Sequence, residues 1–321
     1  MIFKLALFLQ LGRIAYDRKE DADLLTGTLY PIPFENLYSG VCVVLDSLKD
    51  HPSESLQQAI SRVKSLRECA AYLPTLTEEL STALRALFIH PEFLKAKEEI
   101  YRLRLVHYSF VYYFEKFMAI NNWGLKSYRK HFSMDDRLQI HVRTSGVLEI
   151  DLPAVEGHRL RVWDTGGQRC ERRKWSRTFK RADVFVYVAS LSEYDEVLYE
   201  DSSKNRMEEA MDTFEAVLNE EHTRNRPVYL VLVKHDLLME KLEKERVPLN
   251  ASGQFPQAPK ELDTAKALDW IIGEYKLRSE RAGRTITKVT TMNTTSYEDV
   301  NAFIRDLLRS APPTRSTRRM N

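Results

Sequence analysis

The run WDTGGQRCERRKW, residues 163–175, places an aspartate, two glycines and a glutamine directly after an apolar, strand-like stretch. Those residue types in that order suit the terminal phosphate and magnesium ion of a bound nucleoside triphosphate. Asp164 at a strand end can hold a magnesium-bound water, Gly167 lets its backbone N–H come close to a γ-phosphate, and Gln168 can orient a water for in-line attack. In an open α/β sheet, ligands sit beyond the carboxyl ends of the strands, which is where Asp164 to Gln168 falls after RLRVW. Taken alone, Asp-x-Gly-Gly-Gln fits an ordinary turn as well as it fits a phosphate site.

The elements that would position this segment follow from periodicity. From residue 35 to about 130, apolar residues recur three and four apart, as in ENLYSGVCVVLDSL, SESLQQAISRVKSL, TEELSTALRALF and YSFVYYFEKFM. Prolines at 31, 33, 52, 74 and 91 punctuate these runs, and the stretch reads as a compact helical domain with an aromatic core. From residue 141 the pattern changes. Short β-rich runs (GVLEIDL, RLRVWD, DVFVYVASL, PVYLVLVK, TITKVTT) alternate with helical ones (RRKWSRTFKR, NRMEEAMDTFEAVLNE, DTAKALDWIIGEYKLR, YEDVNAFIRDLLRS), the alternation of an α/β sheet. DVFVYVA and VYLVLV are continuously apolar, as strands covered on both faces are. Met207, Ala210, Met211, Phe214, Val217 and Leu218 mark the packing face of one helix.

Composition narrows the function classes. The 321 residues suffice for two ordinary domains, and 48 Lys+Arg against 46 Asp+Glu leave a formal charge of +2, too little for a field that attracts nucleic acid. Cys42, Cys69 and Cys170 fall into no metal-ligand spacing and read as reduced thiols. The opening MIFKLALFLQLGR is too short to span a bilayer and has neither a basic leader nor a small-residue cleavage site, so no transmembrane segment is expected. The tail APPTRSTRRMN reads as disordered and solvated.

Three further stretches give the pentapeptide its meaning. DTGGQRCERRKW, ASLSEYDEVLYEDSSKNRMEE at 189–209 and VRTSGVLE at 142–149 together resemble the heterotrimeric G-protein alpha subunit, over nearly the whole chain from residue 2 and most strongly after 141. The resemblance implies a Ras-like P-loop GTPase-type α/β sheet with an inserted all-helical domain. It divides the chain into a remnant of the first GTPase-domain helix and linker (1–34), the helical domain (35–135) and the Ras-like domain with switch I, switch II and tail (136–321). It implies GTP or GDP with Mg²⁺ as cofactors, with Thr144 and Asp164 at the metal, Gly167 sensing the γ-phosphate and Gln168 positioning the attacking water. Arg169, Arg172, Arg173, Lys174 and Trp175 match the switch II surface for effectors and the beta-gamma dimer. The implied setting is cytoplasmic, including peripheral attachment at the inner face of the plasma membrane.

The departures from the family pattern carry equal information. A P-loop of the form GxxxxGK[ST] needs a Gly-Lys pair, and none of the eleven glycines is followed by lysine. IFKLALF resembles the stretch after the P-loop, so the first strand of the family sheet is expected to be missing. Either residues 2–11 are then recruited as a substitute strand or the isolated chain is poorly stable. His141 stands where the family places its catalytic arginine, and a neutral imidazole cannot replace a guanidinium worth ~10³ to 10⁵ in rate. In the guanine-recognition motif NKxD the residues are Val233, Lys234, His235 and Asp236, which leaves Lys234 and Asp236 for the base. The loop TTMNTT, residues 290–295, gives no assignable base contact, and the last helix gives way to Ala311-Pro312-Pro313, which argues against receptor coupling. Two functions stay open: a signalling GTPase of impaired turnover, and a pseudo-GTPase interaction module working through switch II alone.

Overall fold

The computed structural model describes residues 32–48, 52–69, 77–120, 133–141, 146–155, 158–198 and 201–310. They form two compact units, one holding the described residues up to His141 and the other those from Gly146 onward. Residues 2–11, a substitute strand in one of the two expectations, lie outside the described residues, as does the carboxyl-terminal tail.

The first unit is helical throughout its described residues. It consists of α1 (Ile32–Ser47), α2 (Glu54–Cys69), α3 (Glu78–Phe88), α4 (Pro91–Arg102), α5 (Tyr108–Ala119) and α6 (Met134–Leu138). Local chemistry sets their starts. Thr77 accepts a hydrogen bond from the Leu80 N–H at the start of α3, Pro91 occupies the first turn of α4 where no N–H is needed, and Ser133 and Asp136 form a reciprocal capping box on α6. α1 packs on α4 and α5, and α2 on α3. Gly40 is required at the α1–α5 contact, because a Cβ there would overlap the Phe110 ring. The aromatic stripe forms the core, with Phe88, Phe93, Phe110 and Phe117 fully buried and Phe88 within 5.4 Å of the Phe93, Phe114 and Phe117 rings.

The second unit is α/β. β1 (Val147–Val155) and β2 (His158–Thr165) form an antiparallel pair, followed by the short helices α7 (Arg169–Arg172) and α8 (Trp175–Phe179). Next come β3 (Phe185–Ser190), α9 (Arg206–Asn219), β4 (Val228–Val233), α10 (His235–Met239) continuing into a π-helical turn, α11 (Thr264–Arg281), β5 (Lys288–Met292) and α12 (Tyr297–Ser310). β3, β4 and β5 form a parallel sheet in that order. Strand alternation sorts its side chains. Phe185, Ala189, Val228, Leu230 and Leu232 meet α9 and α11 on one face, while Val186, Val188, Val231, Val233 and Met292 meet α12 on the other. β4 is buried at every position, which its unbroken apolar sequence requires.

Leu160 and Val162 of β2 pack into the same cluster around α12 as Val186 and Val188 of β3. Yet β2 pairs only with β1, and β3 only with β4, so among the described residues the unit carries two separate sheets.

Candidate functional site

β2 delivers Asp164 and Thr165, both buried, into the turn Gly166–Gly167, which is buried too. The turn is anchored on both sides. The Gly166 N–H donates to the Gly146 carbonyl at 3.0 Å, continuing the β1–β2 ladder, and the Trp175 indole N–H donates to the Gly166 carbonyl at 2.7 Å. Gln168 follows in extended conformation as the N-cap of α7, half-exposed, with the Cys170 thiol 4.0 Å from its side-chain oxygen.

Arginines then clamp this turn to α9. Arg172 donates to the Gly167 carbonyl at 3.2 Å and pairs with Glu209 at 2.7 Å, while Arg169 reaches the same carboxylate at 2.9 and 3.1 Å and Asp201 at 3.5 Å. The hydrogen bond from Arg169, opposed by partial burial and reinforced by Arg172, holds the Glu209 carboxyl below its ordinary range. Because Glu209 lies in the first turn of α9 and Asp201 in the segment leaving β3, these pairs bring the carboxyl end of β2 beside that of β3. A second brace joins the start of β1: Glu171 accepts from the Gly146 N–H at 2.7 Å and from Lys174 at 2.6 Å, which depress its pKa. Trp175 is turned inward, stacking on Phe179 at 5.8 Å and packing against the core around α9.

The carboxyl end of β3 carries a buried charged lattice. Arg206 pairs with Glu193 at 2.8 Å and Glu196 at 2.9 Å, and Lys241 pairs with Asp195 at 2.5 Å and Glu196 at 2.9 Å and donates to the Ser192 carbonyl. Burial, the largest single influence, would raise Glu193, but Arg206, Lys234 and Lys241 together outweigh it and hold the carboxyl at about 2. Lys234 sits immediately after β4 in left-handed conformation (φ 64°, ψ 41°) as the N-cap of α10. Desolvation pushes its ammonium down to about 8, against the pull of Glu193 and Glu196. Asp236, two residues on, is exposed.

Val233 ends β4 fully buried, opposite Ser190 and Met292, with its side chain in the α12 cluster. The Val233–Met292 register sets Lys234 next to Asn293, so the loop after β5 flanks the loop after β4. In that loop Asn293 accepts from the Thr295 N–H and hydroxyl at 3.0 and 2.8 Å, and Thr294 is buried. The loop TTMNTT, which has no distinctive residue in the sequence, is placed beside the end of β4 by the strand register alone.

Of the expected site residues, Asp164 lies at the end of β2, Gly167 and Gln168 form the turn after it, Arg169, Arg172, Arg173, Lys174 and Trp175 follow along α7 and into α8, and Lys234 and Asp236 lie at the start of α10. Thr144 lies outside the described residues. His141 belongs to the helical unit, where Asn36 brackets its backbone N–H and carbonyl at 2.7 and 2.8 Å and its ring lies 4.3 Å from that of His107. Glu209, which organises the turn, carried no expected role, although it closes the 189–209 stretch of the resemblance.

A model of the G-protein alpha subunit family matches residues 8–310. The guanine nucleotide-binding protein alpha-17 subunit of Caenorhabditis elegans is 33% identical over 230 residues, 70% of this chain and 62% of that protein. The alpha-1 subunit of Caenorhabditis briggsae is 32% identical over 238 residues, 73% of this chain and 63% of that protein. The subunit alpha of Coprinellus congregatus is 32% identical over 200 residues, 62% of this chain and 53% of that protein. The chain thus spans less than two thirds of the length of these relatives.

Proposed function

The chain belongs to the G-protein alpha subunit family, and from that membership we propose that it acts as a guanine nucleotide-responsive signalling subunit whose working surface is the switch II segment, Gln168 to Trp175. The observation that carries this reading is the double clamp on Glu209: Arg172 ties the Gly167 carbonyl and α9 together, and Arg169, three residues earlier, holds the same carboxylate. A glycine whose N–H would sense a γ-phosphate is thereby coupled to the arginines of the partner surface and through them to α9.

The residues present fit a magnesium–nucleotide in kind. Asp164 supplies the hard oxygen that Mg²⁺ takes alongside water and phosphate, and Gly166 and Gly167 leave no side chain in the way of phosphate oxygens. Mg²⁺ would neutralise charge on the phosphates. Thr144 is its second protein ligand in this reading, Gln168 orients the attacking water, and Lys234 and Asp236 take the guanine. His141 at the arginine position keeps turnover slow. The beta-gamma dimer and effectors are the partners proposed for Arg169 and Arg172 to Trp175, in the cytoplasm or peripherally at the inner face of the plasma membrane; no described helix is long and apolar enough to cross a membrane.

The 321 residues contain no Gly-Lys phosphate loop, so titration of this chain with a fluorescent GTP analogue and Mg²⁺ is expected to give a Kd weaker than about 1 μM. Tighter binding overturns the expectation that nucleotide binding is impaired.

A second reading, a pseudo-GTPase module, is favoured by His141 and Val233 at the family's arginine and asparagine positions and by the lack of a Gly-Lys pair in these residues. Capture of the beta-gamma dimer measured with and without GTP analogue separates the two. Nucleotide-dependent capture supports the switch, and equal capture supports the module.

A further inference from the structure

Residues 169–181, RCERRKWSRTFKR, hold seven arginines and lysines and one glutamate. Four of the seven cations are already engaged: Arg169 and Arg172 by Glu209, Lys174 by Glu171, and Arg181 by Glu149 at 3.3 Å. Arg173, Arg177 and Lys180 are exposed, and among the described residues none of them lies within 4.0 Å of a carboxylate. The nearest acid to Arg173 in its own turn is Glu171, which is held by Lys174 and the Gly146 N–H.

These three residues form one stripe. Arg173, Lys174 and Lys180 all have right-handed helical dihedrals, with a turn at Arg173–Lys174 between α7 and α8. Arg173 closes α7, Arg177 lies within α8 and Lys180 closes α8, so the three exposed cations follow one another along this segment at spacings of four and three residues. Trp175 and Phe179 instead pack into the core. Like charges at these spacings repel each other, and only Arg173 has an acid, Glu171, in its own turn. β1 runs alongside: Gly146 is bonded to Glu171, Glu149 to Arg181, and Val147, on the same strand face as Glu149, is 40% exposed.

We propose that the Arg173–Arg177–Lys180 stripe is a docking surface for an acidic protein segment, a run of aspartates and glutamates laid along α7–α8 with an apolar contact on Val147. The proposal rests on the reading of switch II as the partner surface and specifies the chemistry of the partner. Charge complementarity identifies the occupant. Two of the three cations are guanidinium forks, which match carboxylates in bidentate geometry, and arginine is the cation enriched at protein interfaces. A membrane would need aromatic or several apolar anchors beside the cations, but Trp175 and Phe179 are turned inward and Val147 shares its strand face with Glu149 and Asp151. A nucleic acid would need exposed stacking rings and a strongly basic chain, and the net charge is +2.

The test compares the full chain with its Arg173→Ala/Arg177→Ala/Lys180→Ala variant, titrated in parallel with three probes: a fluorescein-labelled twelve-residue peptide of alternating Asp and Glu, phosphatidylserine-containing vesicles, and a single-stranded oligonucleotide. The expected result is peptide binding that weakens as salt rises and that is about tenfold weaker in the variant, from three exposed charge contacts each worth a few-fold. Matching far-ultraviolet circular dichroism of the two proteins excludes misfolding. Equal peptide binding by both proteins, no peptide binding by the parent at low salt, or tighter binding to vesicles or oligonucleotide than to peptide each overturns the proposal. Beta-gamma capture by Trp175→Ala reports on the underlying reading separately: capture lost in Trp175→Ala but kept in the triple variant leaves switch II as the partner surface and removes the stripe.

Discussion

Burying a carboxylate is unfavourable unless donors surround it, and Asp136 and Glu193 meet that condition in different ways. Asp136 is fully buried and accepts from the Ser133 N–H and hydroxyl at 2.5 and 2.7 Å, from the Tyr112 hydroxyl at 2.7 Å and from Lys116. Burial pushes its pKa up, but Lys116, Tyr112 and Ser133 together push harder and hold it below the ordinary value. A carboxyl with a depressed folded pKa stabilises the fold above its unfolded pKa of about 4, and that contribution is lost as pH falls through the folded value. Asp136→Asn is therefore expected to cost about 1–3 kcal/mol at pH 7 and to cost less as the pH drops below about 4. Hydrogen exchange across Tyr108–Ala119 at the two pH values measures this, and an equal effect at both would contradict the assignment. Glu193 is instead fixed by Arg206 thirteen residues away, a partner that no local pattern announces. The same limit applies at His141. Its place before VRTSG is a sequence reading, whereas its tilted ring contact with His107 was not legible, because it depends on how α5 meets the end of the helical unit. Val233 was legible as a departure, and the structure adds the reason that a valine is comfortable there: its side chain faces Val300 and Phe303 in the α12 cluster.

Whole elements were easier to read than single side chains, since periodicity reports burial directly. VYLVLV is a strand with both faces covered, and Met207, Met211, Phe214, Val217 and Leu218 are the buried face of α9. RRKWSRTFKR was expected as one helix, and the structure divides it into α7 and α8 at Arg173–Lys174, where Trp175 must turn in to reach Gly166. The clamp that fixes these short helices was invisible in sequence, because Glu209 lies 37 residues after Arg172 and four-residue helices have little stability of their own. Glu209→Ala removes both arginine pairs at once and is expected to loosen residues 168–175. Hydrogen exchange there should rise by at least an order of magnitude, with β4 unaffected; unchanged protection would show that Trp175 suffices alone. Trp175→Ala acts from the other side, losing the bond to Gly166 and the Phe179 stack, and is expected to reduce beta-gamma capture while exchange in α1–α5 stays as it was.

At the scale of the molecule, the notable feature is that one hydrophobic cluster serves two sheets. Leu160 and Val162 of β2 and Val186 and Val188 of β3 share α12, so these strands are neighbours in packing without being partners in hydrogen bonding among the described residues. β3 contrasts with β4 in consequence: Val186, Tyr187 and Val188 are only partly buried, whereas all of β4 is enclosed. A strand lying between β2 and β3 would pair both edges, each buried backbone group left unpaired costing about 1–3 kcal/mol. A chimera with a family first strand and P-loop joined ahead of Ile2 should therefore melt at least ~5 °C higher, several kcal/mol translating to a few degrees each in a domain of this size. It should also bind the GTP analogue more tightly, through the added backbone N–H groups and lysine. Hydrolysis should nevertheless remain slow, because His141 offers no permanent charge to the transition state. His141→Arg in the chimera should then raise the single-turnover rate by a large part of the ~10³ to 10⁵ range. A chimera that hydrolyses GTP as fast with His141 as with arginine would show that His141 does not occupy the arginine's place, whatever happens to the melting temperature.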